Sequence, residues 1–207
     1  MTEPVRPPQP EAIRHAVADR LFHWVMAVCV IILGGTAFLP IVGIKFDWVL
    51  AHWISGLVLA AAVLFHLWRV FGVHGLSEML PRRADFNLIG REIFLLNVAD
   101  RASGKFDVFQ KLYHWMVSLV ILALLITGGI MLAKIDTPFW ARDPSILSDW
   151  NWGVVYVIHG SASLILLFLF ILHLYFTFLP DHRKLLWSMV FGVGPVRAHQ
   201  PHSEGEQ

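Results

Sequence analysis

Four stretches of this chain, residues 21–39, 49–71, 112–132 and 153–179, are long, apolar and free of Asp, Glu, Lys and Arg but for Arg69 near the end of the second. A bilayer core of about 30 Å is crossed by about 20 helical residues, each rising about 1.5 Å. Each stretch is therefore long enough to span. In hydrocarbon only a helix satisfies its backbone hydrogen bonds within one segment, so the predicted fold class is all-α and integral to a membrane: a bundle of four transmembrane helices. Composition agrees, because 57% hydrophobic and 15% charged residues over 207 positions lie far from the roughly 25% charged of a soluble domain. A net charge of +1 offers no basic surface, so nucleic acid is excluded as a partner. The single cysteine, Cys29, excludes internal disulfides, cysteine-ligated iron–sulfur clusters and the two-cysteine attachment of c-type haem.

Orientation follows from the basic residues. Thirteen lie in or beside the N-terminal tail, the middle loop and the C-terminal tail, while the other two loops hold only Lys45, Lys134 and Arg142. That bias predicts both termini in the cytoplasm. Trp24, Trp48, Trp53, Trp68 and Trp115 fall near span ends and none of the nine tryptophans at a span centre, as an interfacial aromatic belt requires. Residues 1–20, with four prolines and no cleavable signal, read as a cytoplasmic tail. Residues 21–191 form the transmembrane domain, and 192–207 a flexible tail. Within the long inner loop, residues 85–100 carry Phe86, Leu88, Ile89, Ile93, Phe94 and Leu96 with Arg91 and Glu92, an amphipathic helical pattern suited to the inner membrane face or a partner.

Histidines carry the chemistry. Of eleven, His23, His52, His66, His114, His159 and His173 lie inside the spans, where an ionisable group is costly and marks a functional site. The predicted topology places His52 and His159 towards the outer side, and His23, His66, His114 and His173 towards the inner. Fourteen residues separate His52 from His66 and His159 from His173. In a helix this is about 21 Å of rise and about 40° short of four turns, so each helix presents two imidazoles on one face, one per leaflet. Imidazoles facing each other across helices can bind haem iron from both sides, leaving no open position, so such a haem moves electrons. Zinc or copper transport and proton pumping call for further ligands or carboxylates, and no Asp or Glu lies within the four stretches. Ser55 and Gly56 beside His52, and Gly160, Ser161, Ala162 and Ser163 beside His159, leave room for a porphyrin or serve ordinary helix packing.

Arg20-Leu21-Phe22-His23-Trp24, His52, the loop Gly104–Lys111 ending in Gln110-Lys111, Ile158-His159-Gly160 and Leu172-His173-Leu174-Tyr175 together resemble the cytochrome b (gamma) subunit of membrane-bound formate dehydrogenase. That subunit belongs to a wider di-haem group including the cytochrome b of nickel–iron hydrogenases. The likeness runs from about residue 20 to residue 191. It implies two haem b groups, the inner held by His23 and His173, the outer by His52 and His159. It also implies a site for menaquinone or ubiquinone near the loop entering the third span. Where the family tends to read Asn-Ala-Gly-Gln-Lys, this chain has Asp107-Val108-Phe109-Gln110-Lys111. Gln110 and Lys111 match; Asp107 and Phe109 depart. His66 with His173 is a competing inner pair, as in cytochromes b whose ligands come from two helices; otherwise His66 stands behind the ligands or in the quinone pocket. His114 is expected on the quinone side, and Arg20 and Arg69 as propionate or quinone partners or as interfacial charges.

The resemblance implies a multi-pass protein of the bacterial inner membrane, partnered by an iron–sulfur subunit and a periplasmic catalytic dehydrogenase subunit, with a higher oligomer of the complex open. Electrons would pass from the dehydrogenase, with formate as its expected substrate, through outer and inner haems to quinone, and substrate chemistry would belong to the partner. Three alternatives stand beside this: a stand-alone four-helix cytochrome b quinol oxidoreductase, a hydrogenase cytochrome b subunit, and a non-redox haem carrier or anchor.

Overall fold

The computed structural model describes residues 11–13, 16–74, 108–180 and 183–195. In chain order the elements are β1 (Glu11–Ile13), α1 (Val17–Phe38), α2 (Val49–Arg69) continued by one π-helical turn (Val70–His74), α3 (Val108–Met131), α4 (Asp149–Phe178), α5 (Arg183–Phe191) and β2 (Val193–Pro195). Four helical segments of 22, 24, 24 and 30 residues are long and apolar enough to cross a membrane, one for each apolar stretch of the sequence. They run slightly past those stretches: α1 starts at Val17, α3 at Val108 and α4 at Asp149. Helices need not stop where hydrocarbon stops, because the polar first turn can sit among headgroups.

Two compact units are distinguished, residues 25–170 and the terminal segments 1–24 with 171–207. In the central unit all four long helices contribute to one core. Cys29, Leu59 and Ile121 are buried at its centre, with Val25, Met26, Leu33, Val63, Val117, Leu125 and Leu166 packed around them. Leu64, Leu119 and Phe168 are 67%, 62% and 64% exposed, so the opposite faces are the lipid-facing ones. The connection after α3 is organised by indole donors: Trp140 Nε1 donates to the Leu132 carbonyl and Trp152 Nε1 to that of Pro144. Lys134 Nζ lies 4.3 Å from the Trp152 ring centre, a cation–π contact. Asp143 accepts from the hydroxyl and amide of Ser145, which holds its carboxyl below the usual range. This cap is in place above the ordinary carboxylate pKa and is lost as pH falls through the lowered one.

In the terminal unit, residues 183–191, at the end of the expected domain, form α5, and within the segments expected as tails β1 pairs antiparallel with β2, Ile13 opposite Val193 and Glu11 opposite Pro195. This ribbon is an addition to the all-helical reading. The start of α1 is fastened to the end of α5: Arg20 Nη1 donates to the Val190 carbonyl at 2.8 Å and Trp24 Nε1 to that of Met189 at 3.3 Å. An arginine so placed also answers the negative end of the helix dipole. Gly192 closes α5 at φ +83°, and a Cβ there would stand 3.0 Å from the Arg20 guanidinium. Residues 85–100, expected as an amphipathic helix, lie outside the described residues.

Gly192→Ala should destabilise this junction by about 1–3 kcal/mol, the cost of a left-handed backbone on a residue with a Cβ. The expected readout is a lower unfolding temperature of the detergent-solubilised protein, with proteolysis first appearing near residue 192.

Candidate functional site

Each histidine of the spans faces another across a helix boundary. In the central unit His52, in the first turn of α2, and His159 of α4 have ring centres 6.5 Å apart, with planes at 62°. Thr36, near the end of α1, places Oγ1 2.8 Å from His52 Nδ1, and Thr127 of α3 places Oγ1 2.8 Å from His159 Nδ1. The hydroxyl hydrogens are committed elsewhere: Thr36 donates to the Ile32 carbonyl at 2.7 Å and Thr127 to that of Ala123 at 2.7 Å. A hydroxyl has one hydrogen to give. Each threonine must therefore accept from its histidine, so Nδ1 carries the proton and Nε2 keeps its lone pair. That is the tautomer a metal ligand needs, oriented by its second nitrogen. Both threonines are buried. Gly128, next to Thr127, lets α3 approach the His159 ring, since a Cβ there would stand 3.4 Å from Cε1.

In the terminal unit His23 of α1 and His173 of α4 have ring centres 6.3 Å apart and planes at 55°. Trp24 meets the His23 ring edge-on, 5.5 Å between centres. Arg20, one turn earlier, has its Nε buried and without a hydrogen-bond partner among the described residues, leaving a donor for an acidic group. A third pair belongs to the central unit: His66 near the end of α2 and His114 in the first turns of α3, 6.2 Å between ring centres and 63° between planes. Of the two inner partners expected for His173, it is His23 whose ring it meets, while the His66 ring meets that of His114.

The remaining expected residues fall around the start of α3. Lys111 is buried and Tyr113 donates its hydroxyl to the Leu169 carbonyl at 2.9 Å, fixing α3 against α4 beside His114. Gln110 belongs to the first turn of α3 by its backbone, Arg69 is the last residue of α2, and Asp107 lies outside the described residues. Thr36 and Thr127 were missed by sequence reasoning. Their signal was a hydroxyl abutting a glycine pair, Gly34-Gly35-Thr36 and Thr127-Gly128-Gly129, in blocks otherwise apolar.

A haem b tests well against these residues. Two imidazoles sharing one metal have ring centres about 6 Å apart, from a bond of about 2 Å and about 1 Å from nitrogen to ring centre on each side. The His52–His159, His23–His173 and His66–His114 spacings all match, and Gly128 borders the His159 ring. A family model described as prokaryotic cytochrome b561 matches residues 14–192. A search of curated proteins finds no match.

Replacing Thr36 or Thr127 with Val leaves the Nδ1 proton of its histidine without an acceptor. A haem held by His52 and His159 should bind about 10–100-fold more weakly in each variant, with a raised midpoint potential because the less basic imidazole favours ferric iron less. Haem retention and a redox titration of the purified variants check this.

Proposed function

The chain belongs to the prokaryotic cytochrome b561 family, multi-pass electron-transfer proteins of the bacterial inner membrane that bind haem b, and on that premise we propose that it carries two haems as a transmembrane electron relay ending at quinone. The observation that carries this is the pair of imidazole couples, His52–His159 and His23–His173, each at the spacing of two ligands on one iron. Haem b held by these histidines would supply one-electron chemistry.

The protein's share is positioning. Thr36 and Thr127 fix the His52 and His159 rings in the ligating tautomer, and Arg20 offers a donor where an anionic propionate would need one. The basic-residue bias supports an orientation with both termini in the cytoplasm, so that His52–His159 is the outer pair and His23–His173 the inner. Electrons enter from a periplasmic dehydrogenase through an iron–sulfur subunit. Likeness to the formate dehydrogenase gamma subunit favours formate as the substrate of that partner. They leave to menaquinone or ubiquinone among residues at the start of α3, where Gln110, Lys111 and His114 stand. Inward movement of negative charge stores about 2.3 kcal/mol per electron per 100 mV crossed.

Purified protein should show a b-type reduced-minus-oxidised spectrum and two haems per chain by pyridine haemochrome assay. His23→Ala and His173→Ala should each leave one haem, whereas His66→Ala should retain both. Loss of the inner haem in His66→Ala with its retention in His23→Ala would overturn the pairing. Isolation of the native complex should bring an iron–sulfur subunit and a formate-oxidising subunit; isolation alone, with full quinol activity, would favour the stand-alone cytochrome.

A further inference from the structure

Four of the six span histidines are absorbed by the two haems, and the other two, His66 and His114, face each other 6.2 Å apart between ring centres. The same spacing would admit a third iron there, and haem retention in variants of this pair separates the two uses. Val63 and Val117, one turn from His66 and His114 along α2 and α3, pack on the buried Cys29, Leu59 and Ile121 cluster, which seats the pair against the core of the central unit. Two imidazoles in contact without a macrocycle between them keep the property that ligation removes, exchange of a proton near neutral pH.

We propose that His66 and His114 are the proton-transfer pair of the quinone site. This rests on the reading of the chain as a quinone reductase. Conversion of quinone to quinol consumes two electrons, delivered one at a time through the haems, and two protons. For each proton an imidazolium N–H bond breaks and an O–H bond forms on a quinone oxygen. The neutral imidazole then takes a proton from water on the cytoplasmic side. Other groups near the pair do not serve. Residues 49–71 and 112–132 contain no Asp or Glu. Arg69, one turn beyond His66, and Lys111, one turn before His114, are basic side chains that favour an anionic oxygen. The Tyr113 hydroxyl is engaged with the Leu169 carbonyl.

The test runs the reaction backwards, on full-length protein loaded with both haems, with menadiol as the probe and haem reduction as the readout. The pair then accepts protons, so the wild-type rate should rise with pH across the imidazole range of about pH 5–8. His66→Gln and His114→Gln should each slow it by at least about tenfold and flatten its pH profile while retaining two haems. The double variant should be no slower than the slower single one. Added imidazole should restore part of the rate to His114→Ala, which a purely structural role would not predict. Unchanged rates and profiles in both Gln variants, with an active wild type, would overturn the proposal alone. Loss of a haem in either would show the pair to be iron ligands and overturn it too. If dithionite reduces the wild-type haems but menadiol does not, the quinone reading fails and takes this inference with it.

Discussion

Hydrocarbon offers a polar side chain no hydrogen-bond partner, so every imidazole carried into a membrane must find one within the protein. That requirement organises this molecule. Six histidines stand in the spans and all six meet in pairs, each pair joining two helices. The threonine contacts show how strictly the requirement is met. Each hydroxyl gives its one hydrogen back to its own helix and so can only receive from the histidine opposite. A single buried oxygen thus satisfies a carbonyl, fixes a tautomer and aims a ring. The same device recurs in the two halves of the chain, from α1 to α2 and from α3 to α4.

Equal spacing of the three pairs does not make them equivalent. What borders each one decides its use. Gly128 lets α3 close on the His159 ring, whereas Val63 and Val117, one turn from His66 and His114, pack on the apolar core. Ligand geometry is therefore only half of a cofactor site, and the other half is the shape of what surrounds it.

Much of this was legible in the sequence. Twenty-residue apolar blocks admit one fold class, and histidine positions along them give depth, so that His52 with His159 could be read before any coordinates. Helix rotation was not legible to the same degree. His23, His66 and His114 share a depth, and which of them faces His173 depends on how four helices turn about their axes, a matter of packing among Cys29, Leu59, Ile121 and their neighbours. Thr36 and Thr127 escaped because threonine is ordinary in membrane helices, where its hydroxyl bonds to its own backbone. The β1–β2 ribbon escaped because three-residue strands carry no alternation to detect, and α5 because nine residues after a proline resemble a tail.

The clasp of Arg20 and Trp24 on the carbonyls of Val190 and Met189 joins residues some 170 positions apart. A nascent chain releases Arg20 and Trp24 long before Val190 and Met189, so the start of α1 cannot be locked until residue 190 has been made. His23 rides on that helix. Its meeting with His173 is consequently fastened only after α4 and α5 have both followed, and a ribosome that stalls before residue 190 leaves that couple without its clasp.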